Sequence, residues 1–425
     1  MSQIRTSLTL LVSIACAAGL ATSDQALAGT FYVVTPVGPL PSDAGPTYAL
    51  DVNDLGTVYG TALIDGSRES RAFLWDDGTF TVFAADQGHR FIWPSSLNNS
   101  TDFVGTQLVS LFVGTQYESF VGVVPTLPDL FPQFPEIDAS YGHDISNRVA
   151  GAAPWACGAL RQDEQIGIGA YSVFHGYLAL LDGQPNPPID VPGLGGTFVR
   201  ANALNDTHDL VGASFTTTGA LRAFLHTSGG STLDLGTLGG TGSHSWATDI
   251  NNSQQIVGWS RIADGGTRAF RFENAVMTSL GTLGGNISEA HGLNDAGQIV
   301  GMSFNARQRP RAFLYENGSM VDLNQLIPAS SGWILQYGKA INESGAIVGW
   351  GRLQGETRGF LLTPRGAGDA TLDGTVDAND LREVIRAWGL CPAAPATCPA
   401  DVAPLGGDGL VNEDDLLAVV MHWAR

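Results

Sequence analysis

Short alternating runs of apolar and polar residues, separated by turn-forming residues, recur along most of the chain. Residues 246–285 show the pattern most clearly, as W-A-T-D-I-N-N-S-Q-Q-I-V-G-W, then R-A-F-R-F, then L-G-T-L-G-G. The phrase returns over residues 290–302 as A-H-G-L-N-D-A-G-Q-I-V-G-M. Alternation with a period of two, bounded by Asn, Asp and Gly, is typical of short strands joined by tight turns. The pattern therefore predicts a repeated β unit.

Each copy of the unit can be aligned on one anchor position, which is usually Asn. The anchors recur every 43 to 59 residues and are Asn53, Asn98, Ser146, Asn205, Asn251, Asn294 and Asn342. A glycine follows the anchor by seven residues in six copies. In the third copy Gly151 follows Ser146 by five residues, and residues 152–174 are interpreted as an insertion. This period, with several strands per copy, predicts a stacked or radial repeat.

Four short strands fit into each copy of about 45 residues, which is the content of one propeller blade. The turn sequences N-D-A-G at 294–297 and N-E-S-G at 342–345 predict a hairpin loop at the anchor. The last copy stops after its third strand, and residues 31–38 match the missing fourth strand. We therefore predict an all-β fold, a seven-bladed β-propeller of four-stranded blades closed by the N-terminal strand.

These phrases resemble the HAF family of extracellular repeats, whose units carry G-T-L-G-G, I-N-x-x-G-x-I-V-G and R-A-F. The resemblance covers residues 31–364 and is strongest over residues 199–364. It implies a secreted repeat protein, and the family carries no agreed activity that could be transferred to this chain.

The first residues of the chain predict export. Arg5 precedes an apolar run over residues 8–20, and A-L-A at 26–28 offers a cleavage site. The run is about 13 residues long, which is too short to span a membrane comfortably. We expect residues 1–28 to be a signal peptide, residues 29–364 to form the propeller and residues 365–425 to form a separate module. The mature protein is expected outside the cytoplasm, secreted or at the cell surface, without membrane insertion.

The net charge limits the classes of partner, and the cysteine content limits the kind of fold. The net charge is −20 and Lys339 is the only lysine, which argues against nucleic acid and anionic membranes. The mature chain keeps three cysteines, too few for a fold built on disulfides. Cys391 and Cys398 flank a short loop and could bridge, whereas Cys157 is expected to be a buried or free thiol.

The strand before each anchor supplies candidate ligand-binding residues. Five positions before the anchors, where five of seven side chains are aromatic, stand Tyr48, Trp93, Tyr141, Arg200, Trp246, Glu289 and Tyr337. Three positions before the anchors, where most side chains are polar, stand Leu50, Ser95, His143, Asn202, Thr248, His291 and Lys339. These positions share one strand face. One interpretation is a saccharide-stacking surface formed by Tyr48, Trp93, Tyr141, His143, Trp246, His291 and Tyr337. The alternative, which we favour, is that the large rings fill gaps between neighbouring blades.

Catalytic motifs are absent from the sequence. It contains no G-x-S-x-G, no H-E-x-x-H and no Walker-type loop. Asp51, Asp144 and Asp249 recur two positions before the anchor and could act as paired carboxylates, but a structural role fits their recurrence better. The repeated Arg of R-A-F is likewise interpreted as a structural partner of backbone or of the adjacent blade. If the chain is an enzyme, His143 and Asp144 are the best candidates for catalysis.

The character of the chain changes after Arg365. The loop G-D-A-T-L-D-G-T-V-D-A-N-D, followed by an apolar helical face, has oxygen-bearing residues at the spacing of a calcium loop. The candidate ligands are Asp369, Thr371, Asp373, Thr375 (through its carbonyl), Asp377 and Asp380. A second half repeats the theme with Asp408, Leu410 (carbonyl), Asn412 and Asp415, but its first and third positions fall on Pro404 and Gly406, without side-chain oxygens. The alternative is that the loop is three residues longer, in which case Asp401 supplies an oxygen.

This duplicated loop and helix resembles a type I dockerin, over residues 366–425. Asp at position 12 of the loop, and a helix after the loop without one before it, carry the resemblance. It implies a calcium-binding, α-helical module that docks to a cohesin-like protein. The alternative is that calcium merely folds a small C-terminal cap.

Three hypotheses about function follow. The first is a secreted, non-enzymatic interaction protein, whose propeller presents a recognition face for a ligand such as a polysaccharide and whose tail docks to a partner or cell-surface assembly. The second is a glycosidase or lyase built on a propeller and carried by a dockerin. The third is a purely structural envelope protein.

Overall fold

The structure is a computed structural model, and strands dominate it. It describes residues 31–38, 44–64, 70–83, 89–111, 114–123, 129–130, 139–147, 152–166, 169–182, 187–240, 242–328, 331–366, 368–371, 376–390, 400–402 and 410–423. Within these ranges two α-helices are present, both near the C-terminus, and one 3-10 helix spans Leu323–Gln325. The predicted all-β class is confirmed for the repeat region.

The strands form groups of four that follow the repeat. Strand β1 (Phe31–Val37) precedes the first group. The strands of units 1 to 3 are β2 (Ala44–Val52), β3 (Val58–Ile64), β4 (Ser70–Asp76) and β5 (Thr79–Val82), then β6 (His89–Leu97), β7 (Asp102–Leu111), β8 (Gly114–Val123) and β9 (Asp129–Leu130), then β10 (Ala139–Ile145), β11 (Trp155–Ile166), β12 (Gly169–Leu180) and β13 (Ile189–Val191).

Units 4 to 7 continue the series in the same order. Their strands are β14 (Gly195–Leu204), β15 (Leu210–Thr216), β16 (Leu221–His226) and β17 (Thr232–Asp234), then β18 (Ser245–Ile250), β19 (Ile256–Arg261), β20 (Thr267–Glu273) and β21 (Val276–Ser279), then β22 (Gly284–Leu293), β23 (Ile299–Asn305), β24 (Pro310–Glu316) and β25 (Ser319–Asp322), then β26 (Trp333–Ile341), β27 (Ile347–Leu353) and β28 (Glu356–Arg365). We call the first strand of each unit, which precedes the anchor, its inner strand.

Strand pairing within each unit is antiparallel, and three single parallel contacts join units in pairs. One of them pairs Thr267 of β20 with Ile287 of β22. The result is three eight-stranded sheets and one four-stranded sheet.

The four-stranded sheet contains both ends of the repeat region. Its order is β1-β28-β27-β26, and β1 pairs antiparallel with β28, from Phe31 opposite Arg365 to Val37 opposite Gly359. The sequence prediction that residues 31–38 supply the fourth strand of the last unit is confirmed.

The apolar core lies between the sheets of neighbouring units. One cluster joins Val211 and Leu225 of unit 4 to Ile256 and Phe270 of unit 5. Another joins Phe73 of unit 1 to residues of unit 7, so the first and last units pack on each other. Sheets that pack face to face in this way, each following the last along the chain, form a propeller-like arrangement.

The anchor asparagine forms the predicted turn. The Asn251 side-chain Oδ1 accepts hydrogen bonds from the backbone N–H groups of Ser253 and Gln255, at 3.1 and 2.9 Å. Asn342 makes the equivalent bond with the Ala346 N–H at 2.8 Å. An Asn side chain that mimics backbone in this way fixes a tight loop between the first two strands.

The glycine seven residues after the anchor is required by a β-bulge in the inner strand. The register of β18 against β19 shifts between Ala247 and Asp249. At this point a β-carbon on Gly258 would overlap the carbonyl oxygen of Trp246, and one on Gly349 would overlap that of Tyr337. Only glycine lets the bulged strand approach so closely.

The third unit differs from the sequence interpretation. Gly158 pairs with Gly142 of the inner strand, as the repeated glycines of the other units pair with their own inner strands. Gly158, and not Gly151, is therefore the equivalent residue. Residues 152–174 instead contain β11 and the first half of β12, the second and third strands of the unit. These two strands have 12 residues each and account for part of the extra length. Cys157 on β11 is a buried free thiol, as predicted, and Cys391 and Cys398 lie outside the described residues.

The C-terminal module contains two helices that begin in the same way. Helix α1 (Ala378–Arg386) and helix α2 (Glu413–His422) each start with a capping box, formed by Asp377 with Asp380 and by Asn412 with Asp415. Two short strands, β29 (Gly389–Leu390) and β30 (Leu410–Val411), pair with each other. A small apolar cluster that includes Val384 and Val419 joins the two halves.

Candidate binding sites at the inner strands and in the C-terminal module

Hydrogen bonds link the seven anchors in sequence order and return to the start. The Nδ2 group of an anchor donates to the backbone carbonyl of the next anchor in six of the seven steps, at 2.8–3.2 Å. The sixth of these bonds runs from Asn342 of unit 7 to Asn53 of unit 1. The missing step follows Ser146, the one anchor that is not Asn.

A second set of hydrogen bonds is complete. The backbone N–H of the residue after each anchor donates to the side chain of its counterpart in the next unit, at 2.8–3.2 Å. We call these seven residues the acidic rim, and they are Asp54, Asn99, Asn147, Asp206, Asn252, Asp295 and Glu343. They surround a cavity of about 370 Å³, to which all seven units contribute. Because each rim side chain accepts a hydrogen bond from the backbone of the preceding unit, the rim residues join neighbouring units.

Three buried carboxylates lie below the rim. Asp51, Asp144 and Asp249 each accept the backbone N–H of the residue before the next anchor, at 2.8–2.9 Å. Each therefore bridges two units, as the sequence interpretation expected. Burial raises the pKa of Asp51 to about 7, that of Asp144 to about 6 and that of Asp249 to about 8.

The polar positions three before the anchors also bridge units. His143 Nδ1 donates to the Ala201 carbonyl at 2.6 Å, and His291 Nδ1 donates to the Gly338 carbonyl at 2.9 Å. Burial lowers the pKa of His143 to about 3, and repulsion from Arg200 adds to the effect, so the ring is neutral. His143 and Asp144, the two residues that the sequence suggested for catalysis, are therefore both hydrogen-bonded to the backbone of a neighbouring unit.

Lys339 departs from this pattern. No hydrogen bond or ion pair joins its ammonium group to any residue that the structure describes, although Asp51, Asp249 and Asp144 attract it. Burial lowers its pKa. The sequence analysis placed Lys339 among the polar positions but did not select it, and its being the only lysine of the chain was the available signal.

The aromatic positions five before the anchors lie at the other end of the inner strands. Tyr337 stacks on Trp350 with ring centroids 4.9 Å apart, and Tyr48 of unit 1 meets the same indole edge-on at 5.6 Å. Trp350 is thus held between rings of two units, which agrees with the packing interpretation. Tyr141 is partly buried in β10, and the Trp93 side chain lies outside the described part.

Arg200 occupies the same position in unit 4, and its surroundings are different. Its guanidinium carbon lies 5.5 Å from the centroid of the Trp246 ring. Trp246 in turn lies nearly parallel to Trp259, with centroids 6.3 Å apart and planes 5° apart. Arg200 Nε is buried without a hydrogen-bond partner. The sequence analysis did not select Arg200, although an arginine at a mostly aromatic position was a visible departure from the repeat.

Three of the five arginines of the R-A-F phrase bond to the backbone across units, as predicted. Arg222, Arg268 and Arg358 donate to the carbonyls of Ser243, Asn286 and Gly45 at 2.7–3.0 Å. Each acceptor belongs to the next unit along the ring of contacts. These three arginines therefore have partners that Arg200 lacks, whereas Arg71 Nε is also buried without a hydrogen-bond partner.

In the C-terminal module, the first predicted calcium loop is partly described. The Thr371 N–H and hydroxyl donate to Asp380 Oδ1 at 2.8 and 3.0 Å, and the Asp377 N–H donates to Oδ2 at 2.8 Å. Asp369 and Asp380 are both buried, and these three hydrogen bonds satisfy Asp380. Asp369, Thr371, Asp377 and Asp380 carry the side-chain oxygens that a calcium ion prefers. Asp373 and Thr375 lie outside the described residues, and among those described no three carboxylate, His or Cys side chains are grouped as metal ligands.

In the second half, the residues that the structure describes repeat the hydrogen bonds to position 12. The Val402 N–H donates to Asp415 Oδ1, as Thr371 does to Asp380, so Val402 stands at position 3 and Ala400 at position 1. Pro404 and Gly406 are therefore not these positions, because the second loop is longer, but the replacements also lack side-chain oxygens. Asp408 is outside the described residues, Asn412 caps α2, and Leu410 is exposed in β30.

Arg365 connects the last strand of unit 7 to this module. It ends β28, opposite Phe31, and its Nε donates to the Asp369 carbonyl at 3.1 Å. Burial lowers the pKa of Arg365, and the carboxylates of Asp369, Asp401, Asp415 and Asp380 oppose this shift without reversing it. Arg365 thus supplies positive charge to both halves of the module.

No protein-family model and no curated protein matches this chain. Among solved structures, TolB from Acinetobacter baumannii is 11% identical with a TM-score of 0.39, covering 76% of this chain and 65% of TolB. The acylaminoacyl peptidase of Pyrococcus horikoshii is 8% identical with a TM-score of 0.46, covering 76% and 52%. The BP39L lectin from Burkholderia pseudomallei is 12% identical with a TM-score of 0.41, covering 76% and 99%.

These similarities are too distant to extend to ligands, activities or partners. The chain also spans less than two thirds of the length of TolB and about half that of the peptidase. In the described part of the chain, no helix is long and apolar enough to cross a membrane.

Proposed function

We propose that this chain is a secreted, non-enzymatic binding protein, in which a seven-bladed β-propeller carries a recognition surface and a calcium-stabilised, dockerin-like tail docks it to a partner. The blade count is supported by seven four-stranded units and by the complete set of rim hydrogen bonds, which returns from Glu343 to Asp54. Secretion rests on residues 1–28, which lie outside the described residues.

The observation that carries the docking tail is the duplicated geometry of the two loop-helix halves. In each half, an aspartate at position 12 accepts a loop N–H through one oxygen and an N-cap N–H through the other. The first half keeps the side-chain oxygens that a calcium ion prefers. When bound, calcium would neutralise the buried carboxylates and contribute to folding of a module with little apolar core.

The recognition surface is assigned to the aromatic end of the inner strands, and its proposed ligand class is carbohydrate. Rings there are partly buried and not wholly used in packing, since Trp246 and Trp259 keep part of their surface accessible. The carboxylates and histidines of the inner strands have backbone partners in neighbouring units, which favours binding over catalysis.

The proposal is tested by calorimetric calcium titration of the mature chain, residues 29–425. We expect saturable binding with a stoichiometry near one, lost in Asp373→Ala. Asp408→Ala is the matched control, because it removes the same loop position from the half without ligands at positions 1 and 3. Absence of binding at millimolar calcium contradicts the docking tail, and equal loss in both variants contradicts a single functional loop.

A further inference from the structure

Arg200 is an inner-strand residue whose guanidinium Nε is buried without a hydrogen-bond partner. The recurrent arginines Arg222 and Arg268 donate to carbonyls of the next unit. Arg200 makes no hydrogen bond or ion pair to any residue within the described ranges, and its Nε is buried. Burying a charged group without a partner is costly, so such a group is retained where a ligand completes it.

A second cation, Lys339, lies in the neighbourhood of Arg200 within an acidic protein. The charges of Arg200 and Lys339 both act on His143, whose ring is neutral. The three aspartates of the inner strands attract Lys339, which leaves Arg200 as the uncompensated cation. The net charge of the whole chain is −20, so this cation lies in a protein with an excess of carboxylates.

Aromatic rings give this site a shape. Trp246 covers one side of the guanidinium, and its near-parallel neighbour Trp259 extends the apolar surface. Phe198 lies behind them, 6.2 Å from Trp246 between centroids. Arg200, Trp246 and Trp259 are all partly exposed, so a ligand can reach them. A guanidinium held against a ring presents its N–H edge to a planar anion in bidentate fashion.

We propose that the aromatic end of the inner strands binds a saccharide that carries a carboxylate, with Arg200 paired to the carboxylate and the Trp246–Trp259 platform against the sugar ring. This inference rests on the proposed carbohydrate recognition and names its ligand class. It also explains why unit 4 has arginine where five other units have an aromatic residue.

The test measures binding of short oligogalacturonates, oligoglucuronates and oligomannuronates to the full mature chain, each beside its methyl ester. We expect at least one acid to bind about tenfold or more tightly than its ester, since a charge-assisted pair is removed by esterification. Arg200→Gln should lose that preference, and Arg200→Lys, which keeps the charge but not the planar fork, should keep only part of it. Arg222→Gln is the matched control and should retain the preference.

Several outcomes overturn the inference. They are equal binding of acid and ester, unchanged acid binding by Arg200→Gln, and no binding of any of the three acids. Equal binding of acid and ester leaves carbohydrate recognition intact, and the calcium titration is independent of all three results. Thermal melting of each variant shows whether the protein is folded. If Arg200→Gln is not folded, the acid-over-ester preference of Arg200→Lys decides whether Arg200 pairs with the carboxylate.

Discussion

The two ends of the inner strands use polar residues in opposite ways. At the anchor end, the anchor asparagine recurs in six of the seven units and a rim residue recurs in all seven, and these residues are bonded to the next unit. At the aromatic end, unit 4 departs from the repeat, and its Arg200 has a ring beside it but no hydrogen-bond acceptor among the described residues. Polar groups that recur are needed by the ring of units, whereas one that breaks the pattern is free to serve a ligand.

The largest expected loss of stability comes from substituting Gly258, which lies against the backbone of Trp246 at the aromatic end. In Gly258→Ala the new β-carbon would overlap the Trp246 carbonyl, and we expect a loss of about 3 kcal/mol or more in unfolding free energy. Gly265→Ala is the control, because this turn glycine has φ +88° but nothing near the new atom, and about 1 kcal/mol is expected. Urea denaturation measures both, and equal losses would mean that the close approach is not a constraint.

Removing hydrogen bonds at the anchor end should lower the unfolding free energy by a somewhat smaller amount. Asn342→Ala leaves the Ala346 N–H without a partner and removes one of the two donors to the Asn53 carbonyl, which keeps the Gly56 N–H, where unit 7 meets unit 1. We expect a loss of about 2–4 kcal/mol in unfolding free energy, since buried unsatisfied groups cost about 1–3 kcal/mol each. Asn342→Ser should recover part of it, because Ser146 already serves as an anchor in unit 3. A loss below about 0.5 kcal/mol for Asn342→Ala would show that these bonds do not hold the ring together.

The carboxylates below the rim predict a dependence of stability on pH. The pKa of Asp249 in the folded protein is about 8, above its ordinary value of 3.8, because burial disfavours the charged form and Asp144 and Asp51 repel it. The folded state then holds protons that the unfolded state has released. The stability from this group is present at low pH and is lost as pH rises from about 4 to about 8.

Asp249→Asn tests this dependence. Each such carboxylate contributes at most about 1.4 kcal/mol per pH unit to the fall, so the variant should show a shallower fall in unfolding free energy between pH 5 and pH 8. At pH 5 it should be about 1 kcal/mol less stable, because the amide cannot accept from both N–H donors, Ile250 and Leu293. Lys339 attracts this carboxylate and limits the effect. An unchanged pH profile would show that Asp249 is ionised throughout.

Local patterns made much of the fold predictable. The anchor turns follow from Asn and Gly chemistry, and the pairing of β1 with β28 follows from the unfinished last unit. The third unit was misaligned because Gly151 imitates the repeated glycine, whereas the pairing of Gly158 with Gly142 depends on contacts that spacing does not reveal. Arg200 was missed for the same reason, since its isolation depends on which residues of unit 5 lie beside it.

Arg200→Tyr has the smallest expected effect on stability and tests the difference between the two ends most directly. Arg200→Tyr restores the residue type that most units have at this position and removes an unpaired charge. We expect the unfolding free energy to be unchanged or to rise by about 0.5–1 kcal/mol, as for other substitutions toward a repeat consensus, while preference for acidic saccharides is lost. The reverse exchange, Tyr337→Arg, removes a ring stacked on Trp350 and should be destabilising. A loss above about 1 kcal/mol for Arg200→Tyr would make Arg200 a structural residue like the other arginines.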